Sequence, residues 1–281
     1  MKKIFLLLSL TLAGHLAVAG GGWPQPKGKG YFKLSQYIIR SGSYYAPSGD
    51  IIDIATASIY ITSLYGEYGV TDRFTVIGYV PFFSRATLNE QVNANGMLVA
   101  PGDAVNSFGD TDISFKYGLT RNKPIAVSAT LTLGLPLGND QGGETGVLQT
   151  GDGEFNTMLS LEASRGINSG KGWVNTLLAF NNRSNNFSDE FRWGIEVGHK
   201  LGTKWSGGVK IYSVNSLNNG SDVETPSNGI FSNNIEYLAI TPEVNYQLKD
   251  NFGLSASIGF AASGKRVLAS PSFSAGVFMT L

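Results

Sequence analysis

Apolar and polar residues alternate one by one along segments of about ten residues, and this pattern recurs through most of the chain. A clear example alternates Phe191, Trp193, Ile195 and Val197 with Glu190, Arg192, Gly194, Glu196 and Gly198. A period of two residues predicts a β-strand with one apolar face and one polar face. Segments of this length and period are typical of strands that cross a bilayer in a β-barrel, so a membrane is the first partner to consider.

The N-terminus has the features of an export signal. Two lysines and an apolar stretch precede a small-x-small cleavage site that ends at Ala19. We therefore predict that residues 1–19 are a signal peptide that is removed. Residues 20–29 would then form an N-terminal tail, and residues 30–281 are long enough for one large all-β domain.

Charge and cysteine content exclude several classes of protein. The mature chain would keep 19 of the 21 basic residues and all 21 acidic residues, because Lys2 and Lys3 leave with the signal. This near-neutral charge gives no support for a nucleic-acid partner. The absence of cysteine excludes a disulfide framework, a thiolate metal site and a lipid anchor behind the signal. No mature segment approaches the roughly 18 continuous apolar residues of a membrane-spanning helix, which leaves an exported soluble β protein or an outer-membrane barrel.

Period-two patterns between turn signals predict twelve strands. They lie near residues 30–42, 54–70, 73–86, 109–120, 124–137, 154–165, 172–182, 190–201, 204–214, 235–248, 251–262 and 270–281. Short connections alternate with connections that are mostly longer and rich in Gly, Asn and Asp, as in barrels whose short turns face the periplasm. We therefore predict a transmembrane antiparallel up-and-down β-barrel of about twelve strands in the bacterial outer membrane.

Aromatic residues near the strand ends favour the barrel over its alternative. Tyr68 and Phe74 flank a predicted short turn, whereas Phe155 and Phe180 lie near long-loop ends, as expected for belts at two headgroup levels. The last strand alternates and ends at Leu281, which resembles the signal read by the barrel assembly machinery, although an aromatic residue is more usual there. An exported β-sandwich also alternates, but it gives no reason for two aromatic belts.

The predicted inward positions are mostly small residues, with charges of both signs among them. Twelve strands give a backbone radius of roughly 12 Å, so the lumen conducts only if its lining is small or its plug is incomplete. The candidate lumen-lining charges are Glu67, Asp110, Asp112, Lys116, Glu154, Glu162, Arg192, Glu196, Lys200, Lys210 and Glu243. They either form a polar path that selects solutes or pair across strands and fill the tube, and both readings stay open.

The segment before the first predicted strand contains Trp23 and two prolines, so it cannot be a strand itself. It either enters the lumen from the periplasmic side as a small plug, with Trp23 as the candidate, or remains a loose periplasmic tail.

The residues give little support for an enzyme. His199 is predicted to face outward and the other histidine leaves with the signal, so a Ser-His triad has no histidine to use. Asp110 and Asp112, with Asp103 and Asp152, could form a calcium or acid/base site at the outer rim. This spacing is common at solvated loop ends, so we predict no catalytic, metal or cofactor site and no cofactor.

Two longer segments resemble a known family. Residues 65–74 read Tyr-Gly-Glu-Tyr-Gly-Val-Thr-Asp-Arg-Phe, and residues 109–119 read Gly-Asp-Thr-Asp-Ile-Ser-Phe-Lys-Tyr-Gly-Leu. In these segments the chain is similar to outer-membrane proteins grouped under the meta-pathway of phenol degradation. The resemblance implies a barrel that passes hydrophobic or aromatic compounds, related in idea to FadL-type fatty acid transporters. The tail is too short for the hatch domain of the FadL type.

The leading hypothesis is a passive outer-membrane channel or uptake barrel for small solutes, with hydrophobic or aromatic compounds implied by the resemblance. Its expected partners are outer-membrane lipid, a small-molecule solute and the barrel assembly machinery, and not nucleic acid. The alternative is a sealed barrel that serves as a surface anchor or receptor through its extracellular loops.

Overall fold

The computed structural model describes residues 21–221 and 231–281. The predicted signal peptide at residues 1–19, Gly20 and part of the loop before the tenth predicted strand lie outside the described residues. Within the described part, the one helical element is a single 3-10 turn at Asn168–Gly170. No helix in that part is long and apolar enough to cross a bilayer.

Twelve long strands form in the described residues, because each alternating segment can place its apolar side chains on one face. They are β1 (Gly30–Tyr45), β2 (Ile51–Gly69), β3 (Phe74–Leu88), β4 (Thr111–Gly118), β5 (Ala126–Leu135), β6 (Asn156–Ile167), β7 (Gly172–Arg183), β8 (Glu190–Lys200), β9 (Trp205–Ser216), β10 (Glu236–Lys249), β11 (Phe252–Lys265) and β12 (Ser272–Thr280).

Each strand pairs antiparallel with the next, and β1 also pairs with β12, so the sheet closes on itself. Tyr31 of β1 lies opposite Thr280 on one side and Glu67 on the other. Closure leaves no free sheet edge, which a strand in lipid could not tolerate. The predicted all-β, twelve-stranded, up-and-down barrel is therefore confirmed.

Three strands extend three residues farther toward the long-loop end than the sequence predicts: β1 to Tyr45, β2 from Ile51 and β11 to Lys265. In β1, a register shift between Ser41 and Ser43 resets the alternation, so a strict period of two stops too early. Two short strands raise the wall further, since Asp103–Ser107 pairs with β3 and Val267–Leu268 pairs with β1. Two more, Gln91–Val92 and Leu98–Ala100, form a separate hairpin.

The two faces of the barrel have opposite chemistry. On the outside, Leu159, Leu178 and Phe273 are each more than half exposed, at 58%, 56% and 55%. On the inside, Glu67 and Lys116 are almost completely buried. A protein in water would not expose so much apolar surface, whereas a barrel in lipid requires it. The outer face is therefore the lipid-contacting face.

The barrel lumen as candidate functional site

Residues 21–26, here called the floor, run along the inner wall of the barrel at the short-turn end. Lys116 Nζ donates a hydrogen bond of 2.6 Å to the carbonyl oxygen of Gly21. The Ser128 hydroxyl donates one of 2.7 Å to the carbonyl oxygen of Gly22. A Cβ atom at Gly22 would come within 2.5 Å of the Ala126 carbonyl oxygen, so this close approach to the wall requires glycine.

The second half of the floor is fixed through Gln25. Its backbone N–H donates to the Thr75 hydroxyl at 2.8 Å, and its side-chain amide donates to Glu67 Oε2 at 2.9 Å. Tyr65 also donates its hydroxyl hydrogen to Glu67. Trp23 lies in this segment and is half-buried. The floor therefore occupies the end of the lumen where the sequence allowed either a plug or a loose tail.

Two ion pairs lie on the inner wall above the floor. Lys116 Nζ is 2.8 Å from Glu162 Oε2, and the Thr130 hydroxyl donates to Glu162 Oε1 at 3.1 Å. Lys33 on β1 is 3.3 Å from Glu243 on β10. These pairs are the cross-strand ion pairs that the sequence allowed as one of two readings.

The wall formed by β7, β8 and β9 carries a hydrogen-bonded indole and unpaired lysines. Trp173 Nε1 donates to Glu196 Oε1 at 2.6 Å. The indole covers Gly198, where a Cβ atom would come within 2.0 Å of the ring. Lys210 Nζ lies 5.3 Å from the centroid of the Tyr212 ring, a cation–π contact.

These walls enclose a cavity of about 660 Å³ inside the barrel. Its lining includes six aromatic side chains, namely Tyr31, Tyr65, Tyr79, Trp173, Tyr212 and Phe278. Tyr31 stacks on Phe278 with ring centroids 5.7 Å apart and meets Tyr65 edge-on at 6.3 Å. The cavity is therefore amphipathic, with aromatic faces beside charged and hydroxyl groups.

The sequence predicts a lining of mostly small residues, and this expectation is only partly met. Gly194, Gly208 and Ser206 do line the cavity, but so do the tyrosines of β1, β2 and β3. The parity of β2 could not be assigned from hydropathy, because Tyr60 and Tyr65 lie on opposite faces of this strand. The buried Glu67, two residues from Tyr65, is the signal that identifies the inner face.

At the long-loop end, the guanidinium group of Arg183 forms ion pairs with three carboxylates. Its Nε is 2.5 Å from Glu154 Oε1, its Nη1 is 3.0 Å from Glu190 Oε1 and its Nη2 is 2.8 Å from Asp152 Oδ2. Arg192 Nε also donates to Glu190, at 2.7 Å. Arg183, Glu154 and Glu190 are buried. Together with Asp110, these residues are called the rim cluster below.

Two carboxyl groups of the rim cluster lie outside the membrane-spanning strands and have raised pKa values. Burial and the nearby Asp152 raise the pKa of Asp110 to about 7, although the backbone N–H groups of Gly138 and Asp152 donate to it. Burial also raises the pKa of Glu154 to about 7, against the opposing effect of Arg183. Asp110 and Glu154 therefore change their protonation state near neutral pH.

Residues 136–155, here called the cover, connect β5 to β6 and fold over the lumen at this end. Leu148 is 1% exposed and inserts into a buried apolar cluster. The other buried members of this cluster are Ile39, Ala57, Ile59, Ala86, Val105 and Leu268. The end of the cover is tied to β7 through Asp152, Glu154 and Arg183.

The candidate lumen-lining charges fall into three places. Seven line the cavity, namely Asp112, Lys116, Glu162, Glu196, Lys200, Lys210 and Glu243. Asp110, Glu154 and Arg192 belong to the rim cluster, and Glu67 lies against the floor. Which of these charges select a solute stays a prediction.

The four aspartates considered for a calcium or acid/base site do not form one cluster. Asp103 accepts hydrogen bonds from the backbone N–H and the hydroxyl of Thr145, at 2.9 and 2.7 Å. Asp110 instead contacts Asp152, and Asp112 lines the cavity. In residues 21–221 and 231–281, no group of three or more His, Asp or Glu side chains is placed to hold a metal ion.

The functional residues that sequence reasoning missed are Arg183 and Leu148. Arg183 lies one residue beyond the predicted end of its strand, but it shares the inward parity of Asn181. Val147 and Leu148 form an apolar pair within a loop rich in glycine and polar residues, which is the signal that could have indicated insertion.

Comparison with known proteins identifies the family. The sequence model described as "Putative MetA-pathway of phenol degradation" matches residues 28–275. The chain belongs to this family. The match confirms the resemblance carried by residues 65–74 and 109–119.

Two solved structures have a fold similar to that of this chain. The COG4313 outer membrane channel from Pseudomonas putida F1 is similar with a TM-score of 0.66 and 14% identity, over 93% of this chain and 98% of that chain. The NanC porin is similar with a TM-score of 0.52 and 10% identity, over 89% of this chain and 100% of that one. At these identities the likeness concerns the fold. No curated protein sequence matches the chain.

The location of this family member follows from its fold and its surface. It is a closed antiparallel barrel with an apolar outer face, and the similar structures are channel and porin barrels. Barrels of this architecture reside in the outer membrane of Gram-negative bacteria. The predicted outer-membrane location is confirmed.

Proposed function

We propose that the protein is a passive outer-membrane channel for small solutes and that aromatic compounds are among them. The observation that carries this proposal is the cavity of about 660 Å³ inside the barrel, with its mixed aromatic and polar lining. Sites for small molecules measure about 300–1,000 Å³ and combine apolar walls with a few polar groups. The proposed activity involves no catalytic step, no cofactor and no energy coupling.

Aromatic solutes suit this lining for a physical reason. Each contact between two aromatic rings contributes about 0.5–1.5 kcal/mol beyond the burial of apolar area. Tyr79, Tyr212 and Phe278 offer such contacts at different points around the cavity. Contacts of this strength favour entry but still permit release, as conduction requires.

Planar-bilayer conductance and liposome flux test the proposal. We expect the refolded barrel to conduct ions and to admit a neutral aromatic probe, benzyl alcohol, faster than liposomes without protein. Gly194→Leu should reduce both, because a Cβ atom there already comes within 3.1 Å of the Tyr212 ring and the added side chain enters the cavity.

Gly78→Leu is the matched control. Gly78 lies on the outer face of β3, and a Cβ atom there meets nothing within 4 Å. This variant should conduct like the wild-type barrel. If the wild-type barrel passes neither ions nor the probe under any condition, the proposal of an open channel is wrong.

A sealed barrel that acts as a surface anchor or receptor is the second candidate. The observation that favours it is that segments of the chain enter both ends of the lumen, since the floor is hydrogen-bonded to the inner wall at one end and the cover packs into an apolar cluster at the other. This candidate predicts that the wild-type barrel does not conduct and that Gly194→Leu leaves the flux of ions and of benzyl alcohol unchanged.

A further inference from the structure

One row of inward residues on the β7–β9 wall combines hydrogen-bond donors with an aromatic neighbour. Asn175, Glu196 and Lys210 lie directly opposite one another on β7, β8 and β9, and all three line the cavity. Because neighbouring strands are about 4.8 Å apart, this row spans about 10 Å.

The lysines of the cavity differ in whether a carboxylate neutralises them. Lys33 and Lys116 pair with Glu243 and Glu162. Within residues 21–221 and 231–281, Lys200 and Lys210 have no carboxylate oxygen within 4.0 Å, and the Lys210 side chain is exposed to the lumen.

The geometry explains why Lys210 stays unpaired although Glu196 lies opposite it. Glu196 accepts the indole N–H of Trp173, whose ring lies over Gly198 on the short-turn side of the row. Lys210 extends the other way, over the ring of Tyr212. The Glu196 carboxylate and the Lys210 ammonium group therefore contact different neighbours and not each other.

A second donor in the same row lacks an acceptor. Asn175 is 6% exposed, and its Oδ1 accepts a hydrogen bond of 2.7 Å from Ser164. Its Nδ2 has no hydrogen-bond partner among the described residues. Leaving a buried donor unsatisfied costs about 1–3 kcal/mol. A Cβ atom at Gly21 would come within 2.7 Å of the Asn175 side chain, so the floor covers this amide and a solute reaches it only when the floor moves aside.

The charge around Lys210 suits a solute with a single negative charge. The pairs Lys33–Glu243 and Lys116–Glu162 cancel, which leaves Lys200, Lys210, Glu196 and Asp112 among the charged side chains that line the cavity. The lining as a whole is therefore neutral, but Lys210 is a local cation with no carboxylate oxygen within 4.0 Å among the described residues. This local charge favours a monoanion over a neutral solute, and Glu196 disfavours a dianion.

Apolar surface of aromatic size lies next to this charge. Gly194 is directly opposite Leu177 on one side and Tyr212 on the other, and all three line the cavity. The Tyr212 ring lies over Gly194, where a Cβ atom would come within 3.1 Å of it, and together with Leu177 it gives this wall an apolar face for a planar ring.

We propose that this wall is a subsite for small aromatic monocarboxylates of the benzoate type. The carboxylate accepts a hydrogen bond from Lys210, and the ring packs on the apolar wall formed by Leu177 and Tyr212. The subsite rests on the proposed channel function and names the class of solute that the channel prefers.

Equilibrium dialysis of labelled benzoate with the refolded barrel in detergent, at low ionic strength and pH 7, tests the subsite without requiring transport. We expect Lys210→Met to weaken benzoate binding about tenfold, because a charge-assisted hydrogen bond is lost. Lys210→Arg should keep most of the binding. Added salt should weaken binding to the wild-type barrel.

Lys204→Met is the matched control, because Lys204 also lies over a tyrosine ring, that of Tyr246 at 6.0 Å, but on the outer face. It should bind benzoate like the wild type. Benzamide tests the charge, acetate tests the ring and phthalate tests the preference for one carboxylate. All three should bind more weakly than benzoate.

Equal binding of benzoate and benzamide, or an unaffected Lys210→Met, would overturn the subsite. Acetate or phthalate binding as tightly as benzoate would overturn the assignment to aromatic monocarboxylates. A barrel that binds benzoate but passes no solute contradicts the channel function alone, whereas a conducting barrel without benzoate preference contradicts the subsite alone.

Discussion

The floor and the cover are held at the two ends of the lumen by different interactions. The floor contacts the wall through hydrogen bonds from or to single side chains, among them Lys116, Ser128 and Thr75. The cover instead inserts Leu148 into an apolar cluster and is tied by Arg183 to buried carboxylates. One end is therefore held mainly by hydrogen bonds, with the Pro24 ring against Gly118, and the other by packing and charge together.

This difference indicates which end opens at lower cost. A neutral hydrogen bond contributes about 0.5–1.5 kcal/mol net and one to a charged group about 1.5–3 kcal/mol, because water replaces the lost partner when the segment detaches. Removing a buried leucine from its cluster or separating a buried ion pair costs more per contact, about 2–5 kcal/mol. We therefore expect the floor to detach first and the cover to define the stable end of the channel.

The largest effect should follow from Arg183→Met, which leaves Glu154 buried without its cationic partner and leaves Glu190 with Arg192 alone. We expect a loss of about 3–5 kcal/mol in the free energy of unfolding, because an uncompensated buried charge remains. Urea unfolding of the refolded barrel in lipid vesicles measures it.

Arg85→Met is the control for this prediction, because Arg85 makes an exposed hydrogen bond of 2.8 Å to Asn106. It should change the free energy of unfolding by less than about 1 kcal/mol. Equal effects of the two variants would show that the cover is not held more strongly than an exposed contact.

Much of this barrel is predictable from its sequence, because lipid and lumen impose a strict period of two. The strand number and the inward direction of residues such as Lys116 and Glu162 follow from that period alone. The floor was predicted only as one of two outcomes. Its position depends on long-range partners such as Gln25 and Glu67, which no local pattern relates to one another.

The rim cluster and the cover were less predictable for the same reason. Arg183 binds carboxylates up to 31 positions away in the chain, and Leu148 belongs to a cluster with residues as distant in sequence as Ile39 and Leu268. Loops do not repeat a period, so the sequence does not indicate which of their residues turn inward. The aromatic lining was missed where tyrosines occupy both faces of β2.

A change of intermediate size should come from the paired variant Lys116→Met with Glu162→Leu. Replacing both charges together avoids leaving one unpaired, so we expect a stability change of less than about 1.5 kcal/mol. The floor, however, loses the charge-assisted bond to Gly21, worth about 1.5–3 kcal/mol, which raises the population with a detached floor about tenfold or more. The fraction of time that the channel conducts in planar bilayers measures this.

The control is Lys33→Met with Glu243→Leu, which removes a more exposed ion pair of the lumen wall that is not bonded to the floor. Its conducting fraction should stay near that of the wild type. If both paired variants raise the conducting fraction equally, general loosening of the lumen explains the result and the floor is not the movable end.

The smallest effect should be a pH dependence that is confined to the cover. The pKa values of Asp110 and Glu154, about 7 each, exceed the ordinary values of 3.8 and 4.5, so the folded cover binds protons that a detached cover releases. The cover is therefore stabilised as the pH falls below 7 and loosened as it rises through 7. A spin label at Glu144→Cys, a unique thiol in this chain, should become more mobile as the pH is raised from 5.5 to 8.5, and Asp110→Asn should reduce that change.

A label at Lys27→Cys, beside the floor, is the control. It should report no such change, because Asp110 and Glu154 lie at the other end of the barrel. Equal pH responses at the two labels would contradict the assignment of this behaviour to the rim cluster.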